Sequence, residues 1–195
     1  MPKADDLLEI RWHGRGGQGT KTAVLLLAQA VIREGRYAQG FPEYGPERMG
    51  APMRGYNRIA DRPIRRRGPN ESPEILVVLD PSLLKDPSLI QGIRPGGLVL
   101  VNTSRPAEQI ALELPELIED LRVHVVDATE IARAETGAPI PNTVMLGALV
   151  NLTNAVQIES VRETITEKLQ KKYSSKASLL SGNLSALERG QKEVR

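Results

Sequence analysis

The stretch WHGRGGQGTKT, Trp12–Thr22, holds four glycines in eleven residues, with Arg15 inside the run and Lys21 just after it. Residues of these types, placed between a strand and a helix, can hold a phosphate. Backbone N–H groups at a helix start point at an anion, and the helix dipole favours its charge. The candidate loop is Gly14, Arg15, Gly16, Gly17, Gln18, Gly19 and Thr20. Gly14, Gly16 and Gly19 fit the dinucleotide spacing G-x-G-x-x-G. That fingerprint also asks for an acid at the end of the second strand, to hold a ribose. Here that strand, YAQGF, carries Gln39 and no acid. Gly14 and Gly19 also have the separation of a triphosphate loop, but Thr20 follows Gly19 and Lys21 comes one place late. One residue of slip turns a helical side chain by about 100°. A more general anion site remains open, as does a loop that only makes a tight strand-to-helix turn.

Other residues of chemical interest are scattered. FPEYGPERMGAP, Phe41–Pro52, is a long loop with three prolines. Glu43, Tyr44, Glu47, Arg48 and Arg54 cluster in and after it. They fit a substrate-facing or interface loop, or an ordered Ω-type loop with internal ion pairs. Arg65, Arg66 and Arg67 fit a patch for an acidic partner, or better a solvated edge strand guarded by charge. Asp80 before Pro81 reads as a helix N-cap with proline at the first helical position. Asn142 and Thr143 open a later helix, as a cap or as a second contact to ligand at the carboxyl edge of the sheet. His13 and His124 have no cysteine or acid at ligand spacing, so no metal site is expected, and no residue presents itself as catalytic.

The elements that position these residues follow from periodicity. Leu7–Gly14 reads as a strand and Thr22–Gly35 as a helix that is apolar on nearly every side, closed by Gly35. With YAQGF this makes a strand–helix–strand unit, which predicts a right-handed crossover and a parallel sheet. MRGYNRIADRPIRRRGP suggests two short strands turning at Ala60–Pro63, an antiparallel edge. EILVVLD, GLVLVNT and RVHVVDAT are apolar without alternation, as strands covered on both faces are. TEIARAETG reads as a short helix. The last third is helical: NTVMLGALVNLTN, then a face of Ile158, Val161, Ile165 and Leu169, then one helix near Asn183–Arg189. The expected fold is a Rossmann-like three-layer α/β fold with a mainly parallel sheet, an antiparallel edge and a helical C-terminal third. One domain is expected over 1–173, with a tail over 174–195 that packs on the body or on a partner.

Composition narrows the function classes. The chain has 195 residues, a length suited to one domain with a substantial core. Aromatic residues are 3% and net charge is +2, too few rings and too little charge for a nucleic-acid platform. There is no cysteine, which excludes disulfides, thiolate nucleophiles and cysteine-ligated iron–sulfur clusters. No segment nears eighteen apolar residues and the start lacks a signal-peptide pattern, so no membrane span and a cytoplasmic location are expected.

Two segments taken together, WHGRGGQGTKTAVLLLAQA and FPEYGPERMGAPMRGYNRI, resemble the gamma subunit of the pyruvate and related 2-oxoacid:ferredoxin oxidoreductases. LVVLDPSLL and PNTVMLGALV continue the resemblance, which runs from about Glu9 to Tyr173. It implies a subunit, inactive alone, of an enzyme that decarboxylates a 2-oxoacid and passes electrons to ferredoxin. Thiamine diphosphate and iron–sulfur clusters would then lie in alpha-, beta- and delta-type partner subunits. This chain would help bind coenzyme A, with the glycine loop on its pyrophosphate. Two rival readings are a stand-alone Rossmann-type nucleotide-binding protein and a purely structural assembly subunit.

Overall fold

Apolar runs without alternation form the central strands of the computed structural model, which describes residues 7–43, 50–114, 120–172 and 177–195. Six strands make one sheet: β1 Leu8–Arg15, β2 Tyr37–Pro42, β3 Pro52–Ala60, β4 Ile75–Val78, β5 Leu98–Asn102 and β6 Arg122–Val126. Their order is β2-β3-β1-β4-β5-β6. β1, β4, β5 and β6 are parallel neighbours, while β3 is antiparallel to both β1 and β2.

Two expectations are corrected here. β1 and β2 run the same way, but β3 lies between them, so the strand–helix–strand unit skips a place in the sheet. MRGYNRIA is one strand inside the sheet, β2 is the edge, and the segment after Ala60 forms no second strand. Arg65–Arg67 are therefore on no strand. Gln39 of the true edge strand donates to the carbonyls of Ile64 and Arg66 instead, so this segment covers β2 from outside.

Helices α1 Thr20–Arg33, α3 Ala128–Thr136, α4 Asn142–Thr153, α5 Ile158–Lys172 and α6 Ala177–Glu193 share one core with the face carrying Ile10, Trp12, Ile75, Val77, Leu98 and Leu100. The opposite face, with Leu76, Val78, Val99 and Val101, is covered by α2 Ala107–Glu113 and two 3₁₀ turns, Pro81–Lys85 and Pro87–Leu89. α1 sits very close to the sheet. A Cβ on Gly40 would stand 2.8 Å from the Val24 carbonyl, and one on Gly55 would stand 2.7 Å from the Val24 side chain. Buried Asn57 fixes that contact: it accepts from Trp12 Nε1 at 2.9 Å and donates to the Val24 carbonyl at 2.9 Å.

α6 packs along α3 and α4. It approaches α4 at Gly147 and Gly190, and α3 at Gly182, where only a missing Cβ allows backbone to meet backbone. The chain then returns to the sheet, and Arg195 exchanges backbone hydrogen bonds with Val125 of β6 at 2.8 and 3.0 Å.

Candidate functional site

The strand order reverses between the parallel neighbours β1 and β4. From β1 the chain leaves through α1 toward β2; from β4 it leaves toward β5. Ligands of open α/β sheets bind at such a switch point, beyond the carboxyl ends of the strands. The glycine loop lies there.

The loop is built by its own hydrogen bonds. Gln18 Oε1 accepts the Arg15 amide at 2.8 Å, and the Gln18 amide donates to the Arg15 carbonyl at 3.1 Å. Gly16 donates to the Ala51 carbonyl at 2.9 Å and accepts from the Gly50 amide at 3.2 Å. The end of the proline loop therefore clamps the glycine loop, which brings two distant sequence motifs together. Gly17 and Gly19 have φ of 100° and 80°, a left-handed backbone that favours glycine. Thr20 begins α1; its fully buried hydroxyl has no hydrogen-bond partner among the described residues. A Cβ on Gly14 would lie 2.4 Å from that oxygen.

Neither α1 nor α4 has a side-chain cap at its start, where Gly19 and Pro141 stand. The two starts abut: a Cβ on Gly19 would be 2.6 Å from Asn142 Cγ. Two positive helix ends thus converge on one point. Asn142 is the first helical residue rather than the cap, and it faces Gly19. Thr143 turns away and donates to Asn183 Oδ1 of α6 at 3.1 Å.

Arg15 supplies the loop's cation. Its guanidinium lies 3.2 Å from Asp80 and donates to Ser82 Oγ at 2.9 Å and the Gly50 carbonyl at 3.1 Å. Asp80 does cap the 3₁₀ turn, accepting from the Ser82 amide at 3.0 Å. It also accepts from Gln18 Nε2 at 2.9 Å. Partial burial pushes the Asp80 carboxyl up, but the Ser82 hydroxyl and amide, Gln18 and Arg15 together hold it below its ordinary value. Sequence reasoning misses the role of Asp80 and Ser82 at the loop. The one signal for it is an acid-proline-serine run at the carboxyl end of the strand that neighbours β1. Lys21 is exposed on the first turn of α1.

Behind the loop, the sheet face of β1 and β3 is polar and buried. His13 accepts from Arg11 Nε at 3.0 Å, and Arg11 donates to the Leu89 and Gln91 carbonyls at 2.8 and 2.7 Å. Burial first, then the Arg11 and Arg54 charges, lower the His13 pKa to about 3. His13 is therefore a neutral acceptor, not a cation for phosphate. Glu43 accepts from the Tyr56 hydroxyl, and burial and this bond raise Tyr56 to about 12. Arg54 reaches Ser88 Oγ at 3.4 Å. Tyr44, Glu47 and Arg48 lie outside the described residues. Among the described residues no group of three His, Asp or Glu could hold a metal ion, and no helix is long and apolar enough to cross a membrane.

A glycine loop at the switch point of an open α/β sheet, with two uncapped helix starts and an arginine, gives an open α/β protein whose loop geometry suits an anion. Comparison narrows the class. The pyruvate ferredoxin/flavodoxin oxidoreductase family matches residues 9–193, and the chain belongs to that family. It is 44% identical, over all of its length and 98% of the relative's, to a pyruvate synthase subunit PorC of Thermotoga maritima. It is 45% identical, over 83% of its length and 86% of the relative's, to a pyruvate/ketoisovalerate oxidoreductase common subunit gamma of Thermococcus kodakarensis. A crystal structure of a pyruvate oxidoreductase subunit PORC from Thermotoga maritima superimposes with a TM-score of 0.84, at 40% identity and 98% of both chains. The chain is a gamma-type subunit of this oxidoreductase family.

Proposed function

We propose that this subunit binds coenzyme A for a pyruvate-type 2-oxoacid:ferredoxin oxidoreductase and helps assemble it in the cytoplasm. Its partners would be alpha-, beta- and delta-type subunits, with ferredoxin served through the complex. Thiamine diphosphate and the iron–sulfur clusters would sit in those partners; this chain has no cysteine to ligate a cluster.

One observation carries the reading: the uncapped starts of α1 and α4 meet at Gly19 and Asn142, beside Arg15. A pyrophosphate fits amides and a guanidinium in that arrangement. Gly14, Gly16, Gly17, Gln18 and Thr20 frame the site. Asn142 closes one side, while Thr143 supports α4 through Asn183. Glu43 and Arg54 stand behind the loop that clamps Gly16. On this reading residues 1–173 make up the family domain and 174–195 its C-terminal tail, whose α6 lies against α3 and α4.

The test is titration calorimetry of the assembled oxidoreductase with coenzyme A. Arg15→Ala combined with Gly17→Val should weaken binding at least about tenfold, as expected for loss of a charge-assisted contact and of loop geometry. Unchanged affinity would overturn the proposal. The chain alone, given pyruvate, thiamine diphosphate, coenzyme A and ferredoxin, should reduce no ferredoxin.

A further inference from the structure

Arg65, Arg66 and Arg67 are exposed and lie on no strand, so guarding a sheet edge does not account for them. The segment that carries them is nevertheless anchored. Gln39 Nε2 donates to the Ile64 and Arg66 carbonyls at 3.3 and 3.1 Å. Arg58 holds the Pro69 carbonyl at 3.0 Å. Asn70, 2% exposed, donates to the Ile10 and Asn57 carbonyls at 3.0 and 2.9 Å. Pro63 and Pro69 flank the run and restrict its backbone further.

The charge is not consumed locally. Neither Arg65 nor Arg67 has an ion-pair partner among the described residues, and neighbouring Asp61 is taken by Arg36 at 2.6 Å. The run puts three arginines together in a chain whose net charge is +2, so the rest of the molecule is on balance slightly acidic. The patch is also remote from the glycine loop. Gln39 pairs with Arg58 and Arg58 with Glu9, near the amino end of β1, whereas the loop follows its carboxyl end. From Glu9 to Arg15 the strand spans about 20 Å.

We infer that Arg65 and Arg67 form a docking surface for an acidic face of another subunit of the oxidoreductase. The inference rests on the multi-subunit assembly proposed above and not on its coenzyme. Guanidinium groups are weakly hydrated and pair with carboxylates through two parallel bonds, and arginine is enriched in protein interfaces. Anchoring the segment in advance lowers the ordering cost of docking. A nucleic acid would ask for a wider basic field and stacking rings, and aromatic residues are only 3% of the chain.

The test follows binding of the full chain to a complex of the remaining subunits by surface plasmon resonance. Arg65→Glu with Arg67→Glu should slow association at least about tenfold at low salt. The gap should narrow from about 0.01 M to about 0.15 M salt, as the screening length falls from about 30 to about 8 Å. Arg65→Lys with Arg67→Lys keeps the charge and should keep the association rate, but should dissociate faster, because lysine lacks the two-pronged fork. Arg122→Glu reverses an exposed charge on the far edge of the sheet and should associate at nearly the wild-type rate. Equal rates for the wild type and the glutamate variant, or an equal slowing by Arg122→Glu, would overturn the inference. Unchanged dissociation of the lysine variant also counts against it, because only long-range steering is then left. Phosphatidylserine vesicles that retain the wild type, with subunit association equal in the two proteins, would assign the patch to a membrane instead. All these side chains are exposed, so heat denaturation should show every variant folded. Failure of the coenzyme A reading looks different: Arg15→Ala with Gly17→Val then leaves coenzyme A affinity intact, while the association rates still follow Arg65 and Arg67.

Discussion

Arg15 Nε and Asp80 Oδ2 stand 3.2 Å apart across the crevice between the ends of β1 and β4. The same carboxylate takes the Gln18 amide and the Ser82 amide and hydroxyl. One acid thus ties Arg15 and Gln18 of the glycine loop to the next strand's exit. On the function proposed above, Asp80 competes with a phosphate for the Arg15 guanidinium.

Asp80→Asn should therefore tighten binding of inorganic pyrophosphate to the full chain by a fewfold, and the gain should shrink with added salt. The gain should disappear in an Arg15→Ala background, because the two residues act through each other. Weaker binding in Asp80→Asn would show that the acid only shapes the loop. The pH dependence has a definite sign. A carboxyl held below its ordinary value stabilises the fold above pH 3.8, and that contribution is lost as pH falls through the lower folded value. Urea unfolding should show the wild type and Asp80→Asn converging in stability as the pH falls below about 4.

Gly14 and Thr20 pose a steric test. Gly14→Ala puts a methyl 2.4 Å from the Thr20 hydroxyl and 3.3 Å from Gln18 Oε1. Overpacking of this kind costs about 1–3 kcal/mol. Adding Thr20→Ala should recover much of the loss in melting temperature, since the clashing oxygen is gone. Thr20→Val keeps the shape and removes a buried hydroxyl that has no partner among the described residues. It should leave the free chain as stable or more so. If coenzyme A uses that hydroxyl, the same variant will bind it more weakly.

His13 predicts an acid-side loss of stability. Its pKa is about 3 in the folded chain against an ordinary value of 6.5, and the residue is 5% exposed. Between those two values the unfolded chain binds a proton that the folded chain does not, so stability falls as pH drops. The slope from this group is at most about 1.4 kcal/mol per pH unit. His13→Gln can still accept from Arg11 and has no such titration. Its unfolding free energy should be flatter from pH 6.5 downward. An equal slope in both proteins would rule His13 out as the source.

Much of this fold is readable along the chain because its signals are local. The uninterrupted apolar runs at β4 and β5 announce buried parallel strands, and Gly14 to Gly19 mark the turn into α1. RVHVV reads the same way, but β6 is the sheet's other edge, with Arg122 exposed and Val123 and His124 half-buried. Ile158, Val161, Ile165 and Leu169 mark the inner face of α5. What escapes reading depends on partners far away in sequence. Nothing in MRGYNRIA says that it inserts between β1 and β2, since strand neighbours are chosen by packing on both sides. Asp80 is complete as a cap on sequence grounds alone. Its bonds to Arg15 and Gln18 cross more than sixty residues, and only the folded sheet brings them together. Asn142 is legible as a helix start, but its contact with Gly19 arises from two helices meeting.

Glu9 and Arg58 form a buried ion pair at 2.7 Å, each side chain 3% exposed. Arg58 also donates to the Pro69 carbonyl at 3.0 Å, which ties the segment after β3 down onto the sheet. Removing one partner leaves a buried charge, and Arg58→Ala should cost about 3–5 kcal/mol. Glu9→Leu with Arg58→Met should cost less than Arg58→Ala alone, because no charge is left stranded. Chemical denaturation of the three proteins orders them.

α6 comes close to its neighbours through glycines and adds Leu187 to the core. A Cβ on Gly190 would stand 2.1 Å from the Val144 carbonyl, and one on Gly147 would stand 2.1 Å from the Leu187 carbonyl. Both obstacles are backbone, so no rotamer change relieves them. Gly190→Val should lift the end of α6 from α4 and expose Ala186 and Leu187, now 1% and 0% accessible. The expected loss is at the upper end for a core substitution, about 3 kcal/mol or more. α4 begins at Asn142, so the same variant should loosen the contact with Gly19 and weaken coenzyme A binding although residue 190 is remote from the loop. A surface change on the same helix, Lys192→Ala, should do neither. If Gly190→Val melts like the wild type, α6 contributes little to the body and the close glycine contacts do not hold it.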